Sequence, residues 1–403
     1  MLTKPKEQTY LSPLQITWKR FKKNKLSVAA LIFIVFISLA GVFAYWIIPD
    51  NTPNANRIIL QISTSKPGAT YTFLKIASEP EIENRNIFSI LIGGKKDRFS
   101  YLPISDYKII NDSLFASEYT GIEGDTISKV GFSFIQLDPY LYSKKGENLF
   151  SILGKKNRLT KQEFAEMISK DHVVSKTFWL GTDRYGRDMW SRLLLGARVS
   201  LSIGLMAVFI SMIIGVTLGA LAGYYRGWVD ISISWLINVI WSLPALLLVI
   251  AVSFALGKGF WQVFVAVGLS MWVEVARIVR GQLLSLREVE FVEAGRALGY
   301  SSSRIIFKHI LPNISGPILV AAASNFVSAI LLEAGLSFLG FGVQPPFPSW
   351  GGMIKEHYGY ILIDAAYLAI IPGLAIMLLV YSFNLVAIGL RDAFDLKEGN
   401  TFS

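Results

Sequence analysis

The stretch EFVEAGRALGYSSSRIIFKHILPN (Glu290–Asn313) is a polar, helix-forming segment between two long apolar runs, and the rest of the chain is organised around it. Val289 and Val292 recur at helical spacing, which predicts a short amphipathic helix. Gly299 can adopt a positive φ and end that helix, and Pro312 starts a new element just before the next apolar run. A helix held in this way at a membrane surface is either a docking surface for another protein or an ordinary interfacial helix.

The composition indicates a membrane protein. Hydrophobic residues make up 52% of the 403 residues and charged residues only 17%, against about 25% charged residues in soluble domains. The chain has no cysteine, which excludes disulfides, cysteine-ligated zinc and iron–sulfur clusters. The net charge of +10 favours an anionic membrane leaflet over nucleic acid as the partner, given the apolar runs. The first apolar run lacks a small-residue cleavage site and is long enough to span, so no cleavable signal peptide is expected.

Six runs approach or exceed the roughly 20 apolar residues that a helix needs to cross a bilayer. The alternative is that one or two of them are buried helices of a soluble core, but uncharged runs of this length are rare in soluble folds. We therefore predict an all-α polytopic membrane protein. The predicted spans are Leu26–Ile48, Val199–Tyr224, Ile231–Leu256, Phe260–Ala276, Ile314–Phe341 and Ile361–Leu390.

Basic residues predict the orientation of these spans. Lysines and arginines are concentrated before the first span and between the fourth and fifth spans, from Arg277 to Lys308. The positive-inside rule therefore places both segments, and with six spans also the C-terminus, in the cytoplasm. Ser12–Lys25 mixes apolar and basic residues and suits an interfacial helix on the inner leaflet; the alternative is a disordered basic tail.

A polar insert of residues 49–177 separates the first two spans. The piece RIILQISTSKPGATYTFLKI predicts two strands around a turn at Lys66-Pro67-Gly68, and further short strands follow. A capping box at Thr160–Glu163 predicts a closing helix. We expect a small, mostly β extracytoplasmic domain that acts as a structural insert or as a docking surface.

Sequence signals for enzyme chemistry are absent. The chain has no GxxxxGK[ST] phosphate loop, and its three histidines, His172, His309 and His357, are far apart in the sequence. We predict no catalytic, cofactor-binding or metal-ligating residues. Any uphill transport must then take its energy from another chain or from an ion gradient.

EAGRALG, followed by nine residues and His309-Ile310-Leu311-Pro312, resembles the EAA signature of ABC importer permeases. Gly295 stands at the third-position alanine, and His309 stands at an isoleucine position. The matching residues are Glu293, Ala294, Gly299, Leu311 and Pro312. Four further stretches resemble the dipeptide/oligopeptide (peptide/nickel) branch, and its C-type subunit in particular; they are LGTDRYGRDMWSRLLLGARVSLSIG, AGYYRGWVD, ARIVRGQLLSLRE and EAGLSFLGFGVQPPFPSWGGMI.

The resemblance implies a type I importer permease that pairs with a second, homologous permease. Two separate ATPases, which hold ATP and Mg, would each receive one coupling helix, and an extracytoplasmic binding protein would deliver di- or oligopeptides. The coupling helix would cover about residues 287–300, and its lack of a side chain at Gly295 would let another surface come close. The implied coupling residues are Arg287, Glu290, Glu293, Ala294, Gly295, Leu298, Gly299 and Tyr300.

The same resemblance divides the chain into six parts. They are a basic segment 1–25, a first span 26–48, the insert 49–177, a linker 178–198, a permease core 199–391 and a cytoplasmic tail 392–403. The insert is longer than is typical of the branch. Candidate hinge or structural positions are Pro244, Pro312, Pro372 and Gly373.

Two carboxylates lie within the predicted spans and are candidate functional groups. Glu333 also suits a structural hydrogen-bonding role, and Glu274 suits an ion pair with Arg277, three residues on. Three alternative functions stay open: a permease for nickel or another small solute, an ion-coupled carrier, and a membrane receptor or scaffold. The carrier would need inverted repeats with broken helices, which the sequence does not show.

Overall fold

The computed structural model describes residues 13–79, 86–110, 113–121, 128–139, 166, 169–257 and 259–394. Within them the protein is mostly helical with one small antiparallel sheet, which confirms the predicted fold class. The capping box at Thr160–Glu163 and the tail beyond residue 394 lie outside the described residues. The helices are α1 Pro13–Phe21, α2 Lys25–Val42, α3 Ala44–Ile47, α4 Ile87–Gly93, α5 Phe134–Leu137, α6 Met189–Tyr225, α7 Gly227–Trp241, α8 Ala245–Leu256, α9 Phe260–Leu286, α10 Glu290–Ala297, α11 Ser302–Arg304, α12 Leu311–Asn313, α13 Ser315–Leu339, α14 Trp350–His357 and α15 Tyr367–Phe394.

Five helices are long and apolar enough to cross a membrane: α2, α6, α9, α13 and α15. The sixth predicted span is instead the pair α7 and α8, bent by 97° at the break between them. Pro244 sits at this break as the N-cap of α8, where the missing N–H of proline interrupts the helical ladder. The span predicted over Ile231–Leu256 is therefore a broken one, and the break lies at Pro244, which the sequence offered as a candidate hinge.

Two helices extend beyond the spans that the sequence predicted. Helix α9 continues past Ala276 to Leu286, because the arginines that follow Ala276 find partners on α7. The Arg277 guanidinium lies 3.4 Å from the ring centroid of Trp241, and Arg280 donates to both carboxylate oxygens of Asp230 at 2.5 and 2.8 Å. Helix α6 begins ten residues before the predicted Val199, at Met189.

Helices α6 and α9 pack side by side in parallel over a stripe of glycines. Gly215, Gly219 and Gly223 recur every four residues on α6 and therefore share one face. A Cβ at Gly219 would lie 2.5 Å from the carbonyl oxygen of Ala276 on α9, so only glycine allows this approach. Because the chain returns through α7 and α8 before α9 begins, the C-terminal ends of α6 and α9 reach the same end of the bundle.

Helices α2 and α15 run antiparallel, which brings the two described chain ends together. The Ser27 hydroxyl near the start of α2 donates to the Leu385 carbonyl near the end of α15, at 2.8 Å. A Cβ on Gly316, at the start of α13, would lie 2.6 Å from the Phe394 ring. Helix α1, the end of α15 and helix α10 therefore lie at one end of the bundle, which we call the α10 end, and the sheet lies at the other, the sheet end.

The sheet has the strand order β4-β3-β2-β1-β5, with every neighbouring pair antiparallel. Thr72 pairs with Ile104 on β2 and with Ser175 on β5. Only the second of the two strands predicted around Lys66-Pro67-Gly68 forms, because Leu60–Ile62 folds into a 3-10 turn that packs Ile62 beneath Phe73 and Phe178. The strands are β1 Ala69–Ala77, β2 Phe99–Ile110, β3 Ser113–Glu118, β4 Lys129–Ser133 and β5 Val173–Phe178.

Candidate functional site

Helix α10 forms where the EAA-like segment was expected. Glu290 and Glu293 lie in its first turn and Arg296 in its last, which complements the helix dipole. The helix ends in a Schellman-type turn, in which the Tyr300 N–H donates to the Gly295 carbonyl at 3.0 Å. Gly299 has φ +75° in this turn, as the sequence predicted.

One face of α10 packs on its own chain. Val292 is fully buried in a cluster with Ile305, Ile306 and Ile310, which belong to a π-helical turn over Ile305–Ile310. Gly295 is buried on this same face. The surface that approaches Gly295 belongs to the same chain, because an added Cβ would lie 3.6 Å from the Tyr300 ring and 3.8 Å from the Ile305 side chain.

The opposite face of α10 is open. Leu298 is 70% exposed, and Phe307 on the adjoining π-helical turn is also exposed. Five of the eight predicted coupling residues are exposed: Glu290, Glu293, Ala294, Leu298 and Gly299. This face offers an apolar centre with carboxylates beside it.

The two remaining predicted residues tie α10 to the spans. Arg287 donates to the Tyr224 carbonyl at the end of α6, at 2.8 Å, and Tyr300 stacks on His309 with ring centroids 5.7 Å apart. Arg226, which follows α6, forms an ion pair with Glu288 at 2.7 Å. These contacts link α10 and its flanking residues to the end of α6 and to the π-helical turn.

Glu333 is buried inside the bundle among hydroxyl groups. It accepts a hydrogen bond from Ser337 at 2.7 Å and one from Ser200 on α6 at 3.4 Å. This geometry matches the structural hydrogen-bonding role that the sequence suggested, because the carboxyl group joins α13 to α6.

Glu274 is exposed near the middle of α9, with twelve helical residues after it. The predicted ion pair with Arg277 is absent from the ion pairs of the described residues, because the Arg277 guanidinium lies over Trp241 instead. A charged group exposed at this depth normally faces another protein surface or a water-filled cavity rather than lipid.

Two family models match the chain. Residues 215–398 match the binding-protein-dependent transport system inner membrane component, and residues 12–62 match the N-terminal TM domain of oligopeptide transport permease C. Over 223 residues the chain is 44% identical to the glutathione transport system permease protein GsiD of Pectobacterium atrosepticum, which covers 55% of this chain and 74% of that protein. The chain belongs to the binding-protein-dependent ABC permease family.

Other relatives of the permease carry names from peptide transport systems. It is 42% identical over 241 residues to the dipeptide transport system permease protein DppC of Alkalihalophilus pseudofirmus, covering 59% of this chain and 79% of that protein. It is 39% identical over 231 residues to the oligopeptide transport system permease protein OppC of Bacillus subtilis, covering 57% of this chain and 75% of that protein. A solved structure of the MetNI methionine ABC transporter in an inward-facing conformation aligns with a TM-score of 0.43 at 21% identity, covering 51% of this chain and 98% of that chain.

Family membership defines the general role of this chain. It is a membrane-spanning permease subunit of an ABC importer, and the ATPase is a separate subunit. Permeases of this family work with a partner permease, ATPases and a binding protein. The ion-coupled carrier and the receptor or scaffold are thereby set aside as alternatives.

The predicted hinge positions of the permease occupy different settings. Pro244 lies at the 97° break between α7 and α8, and Pro312 lies in α12, directly after the π-helical turn. Helix α15 runs without interruption through Pro372 and Gly373.

Gly295 and Gly299 should respond differently to alanine. At Gly295 an added Cβ would lie 3.6 Å or more from its neighbours, so Gly295→Ala should stabilise α10 by up to about 1 kcal/mol through helix propensity. At Gly299 the positive φ should make alanine cost roughly 1–2 kcal/mol. The thermal midpoints of the two purified variants measure this difference, and a lower midpoint for Gly295→Ala would contradict the packing described for α10.

A buried ionic cluster, which the sequence did not predict, joins the sheet end of the bundle to the loop before α6. Arg187 donates to Asp183 at 2.6 Å and to Glu356 on α14 at 2.8 Å. Arg192 on α6 lies 3.6 Å from Asp183 and is also buried. One signal was present: Asp183 and Arg187 are four residues apart, just before an apolar run. What they contact across the chain was not visible in the sequence.

Part of this cluster has the composition of a metal site. Asp183, Glu356 and His357 offer ligand atoms within 4.8 Å of one another. The two arginine guanidiniums already neutralise the carboxylates, so the arrangement is better explained as an ion network. Burial lowers the pKa of His357, which keeps its ring neutral at neutral pH, and Nδ1 lies 2.7 Å from the Met353 carbonyl.

Lys176 on β5 supports a prediction about pH. Its ammonium lies 3.9 Å from the Tyr101 ring centroid, and burial, followed by the charge of Arg57, lowers its pKa from 10.5 to about 8. The unfolded chain keeps this proton up to about pH 10.5, so the folded state gains stability as pH rises from about 8 toward 10.5. Lys176→Met should raise the thermal midpoint at pH 7 and remove this gain.

The control for Lys176→Met is Lys108→Met, because Lys108 is exposed on β2. Thermal midpoints measured from pH 7 to pH 10 should show a difference from the parent protein only for Lys176→Met. Equal profiles of thermal midpoint against pH for the two variants would mean that folding does not disfavour the charged form of Lys176.

Proposed function

We propose that this chain is the C-type permease subunit of a type I importer for di- and oligopeptides, forming half of the translocation pathway. The observation that carries the proposal is the open face of α10 at the end of the bundle opposite the sheet, on a helix held by α6, α9 and the π-helical turn. A rigidly held helix with an open apolar face is suited to transmit movement from a docked protein to the spans.

Residues 287–300 form the proposed ATPase coupling element. Glu290, Glu293, Ala294, Leu298 and Gly299 would contact the ATPase, whereas Arg287 and Tyr300 would transmit the movement to α6 and the π-helical turn. Two ATPases, one on each permease, would hold ATP and Mg and supply the energy. This chain itself contributes no catalytic residue in the proposal.

The proposed location is the bacterial inner membrane with both termini in the cytoplasm. The arginine-rich segment around α10, helix α1 and the end of α15 all lie at the same end of the bundle, where the lysines and arginines are concentrated. The positive-inside rule assigns this end to the cytoplasm. The sheet of residues 49–177 then faces the extracytoplasmic side, where a substrate-binding protein would deliver the peptide.

The exposed face of α9 around Glu274 is the proposed contact with the second permease or with the pathway. A carboxylate at the middle of a span is energetically unfavourable against lipid but is stable against a polar protein surface or in a water-filled pathway. A heterodimer of two related permeases would provide both. Pro244, with its 97° break, is the proposed place where spans adjust during alternating access.

Peptides are preferred over nickel as the proposed substrate. The relatives reported above are named for glutathione, dipeptide and oligopeptide transport, and each of these substrates is a peptide. Among the described residues, the group with metal-ligand spacing is neutralised by Arg187 and Arg192. Nickel or another small solute remains the second candidate.

The test is uptake by the complete importer, assembled from this chain with its partner permease, ATPases and binding protein, in proteoliposomes. A radiolabelled tripeptide should accumulate only with ATP, and unlabelled dipeptides or glutathione should compete with it. Uptake of ⁶³Ni²⁺ that peptides do not inhibit would support the second candidate instead. Tripeptide accumulation without ATP would contradict the proposed energy coupling.

A further inference from the structure

Helix α4 in the insert exposes a strongly apolar surface. Its sequence, IFSILIG over Ile87–Gly93, contains no charge, and Ile87, Phe88 and Ile92 are 68%, 78% and 66% exposed. Exposure of adjacent large apolar side chains to this degree marks an interaction surface rather than an ordinary loop. Ile76, Leu102 and Ile109 pack with the core of the sheet, whereas the large apolar side chains of α4 point outward.

Contacts at the C-terminal end of α4 place it beside the transmembrane helices. The Leu91 carbonyl accepts a hydrogen bond from the Arg198 guanidinium on α6, at 2.9 Å. Just after the helix, the Lys95 N–H donates to the Asn51 carbonyl at 2.9 Å, and a Cβ on Gly94 would lie 2.7 Å from the Tyr45 ring on α3. Helix α4 therefore rests against α3 and α6, not on the outer surface of the sheet.

These contacts also give the depth of α4. Helix α2 has 18 residues, which span about 27 Å at 1.5 Å per residue, close to the roughly 30 Å of a bilayer core. Gly41, near its end, lies against the backbone of Arg198, since a Cβ there would come 3.3 Å from the Arg198 Cα. Arg198, which donates to the Leu91 carbonyl, therefore lies at the depth in the membrane at which the apolar part of α2 ends. Helix α4 lies at the boundary between the bilayer core and the headgroups.

Exposed apolar side chains also lie at the end of the first span, which the segment after α4 contacts through Gly94 and Tyr45. Phe43, Trp46 and Ile47 are exposed at the end of that span, where aromatic side chains normally lie in the headgroup region. Lys95 and Lys96 are exposed immediately after α4 and are placed to contact lipid phosphates. An apolar helix followed by lysines at this depth has the chemistry of an interfacial anchor.

We propose that α4 lies in the sheet-side headgroup layer of the membrane, with Ile87, Phe88 and Ile92 inserted among the acyl chains, and that it anchors the insert to the lipid surface. The insert is then held at two places, by the hydrogen bond that Arg187 donates to Asn56, at 3.2 Å, and by α4. This anchor keeps the sheet at a defined height and tilt above the bundle. The proposal depends on the chain spanning a membrane and not on the identity of the transported solute.

The chain has no cysteine, so single cysteines can be introduced and spin-labelled without removing any native one. Phe88→Cys and Ile92→Cys are the test positions, Lys108→Cys on β2 is the aqueous control, and Phe36→Cys on α2 is the membrane control. The assembled importer is reconstituted into anionic liposomes, with the water-soluble relaxer NiEDDA present on both sides. Collisions of each nitroxide with oxygen and with NiEDDA are then measured.

Labels at positions 88 and 92 should collide with oxygen more often than with NiEDDA, by several-fold, as at position 36, whereas position 108 should show the reverse. Dominant NiEDDA collisions at 88 and 92 would place α4 in water and overturn the proposal. Low collision rates with both relaxers would also overturn it, because they would mean that a protein subunit covers α4. Thermal midpoints equal to that of the parent importer would show that the labels leave the fold intact.

Discussion

Leu298→Asp should abolish ATP-driven uptake and release the ATPase, while the permease stays folded in the membrane. Leu298 is 70% exposed, so its side chain contributes little to the fold of its own chain. In the proposed complex it lies at the centre of the apolar surface that the ATPase covers, where an aspartate would be buried without a partner. Central contact residues of this kind contribute about 2 kcal/mol or more, which corresponds to roughly 30-fold weaker binding.

The matched control is Leu362→Asp. Leu362 is 93% exposed in the 3-10 turn Tyr358–Leu362, which follows α14 at the sheet end of the bundle. The same change of chemistry there should leave the ATPase bound when the importer is purified in mild detergent. Quantifying the ATPase that copurifies with each variant, beside uptake in proteoliposomes, measures the effect. Full ATPase retention by Leu298→Asp would show that the open face of α10 is not the coupling surface.

The spans were largely predictable because a bilayer imposes a simple rule of length and apolarity. The rule located α2, α6, α9, α13 and α15, since each contains a long run with few charges. It misplaced the end of α9, because Arg277 and Arg280 look like the end of a span until Trp241 and Asp230 are brought next to them by the fold. Partners on a different helix cannot be read from local composition.

The candidate site shows the same division between local and non-local information. The helix and the positive φ of Gly299 follow from neighbours within a few residues, and both were predicted. The burial of Gly295 was not predicted, because it depends on the π-helical turn that folds back beneath α10. The hydrogen bond from Arg287 to Tyr224 was not predicted either, because it joins residues 63 positions apart.

Asp183→Ala should strongly destabilise the contact between the loop before α6 and α14 at the sheet end of the bundle. Asp183 is fully buried and accepts from Arg187 at 2.6 Å, with the buried Arg192 at 3.6 Å. It also accepts backbone N–H groups from Tyr185 at 2.8 Å and from Arg187 at 3.0 Å. Removing one partner from a buried ion pair costs about 3–5 kcal/mol, because the remaining charge stays buried without compensation.

The control for this change is Asp364→Ala, which removes an exposed ion pair between the insert and the sheet end of the bundle. Lys66 and Asp364 lie 2.8 Å apart with side chains 75% and 88% exposed, so water can replace either partner. Its loss should leave the thermal midpoint unchanged within error, whereas Asp183→Ala should lower it by several degrees. Because both variants remove one carboxylate from an ion pair at the sheet end of the bundle, equal midpoints would mean that burial adds nothing to the ionic cluster. A large drop for Asp183→Ala alone would show that the buried cluster stabilises this end of the protein.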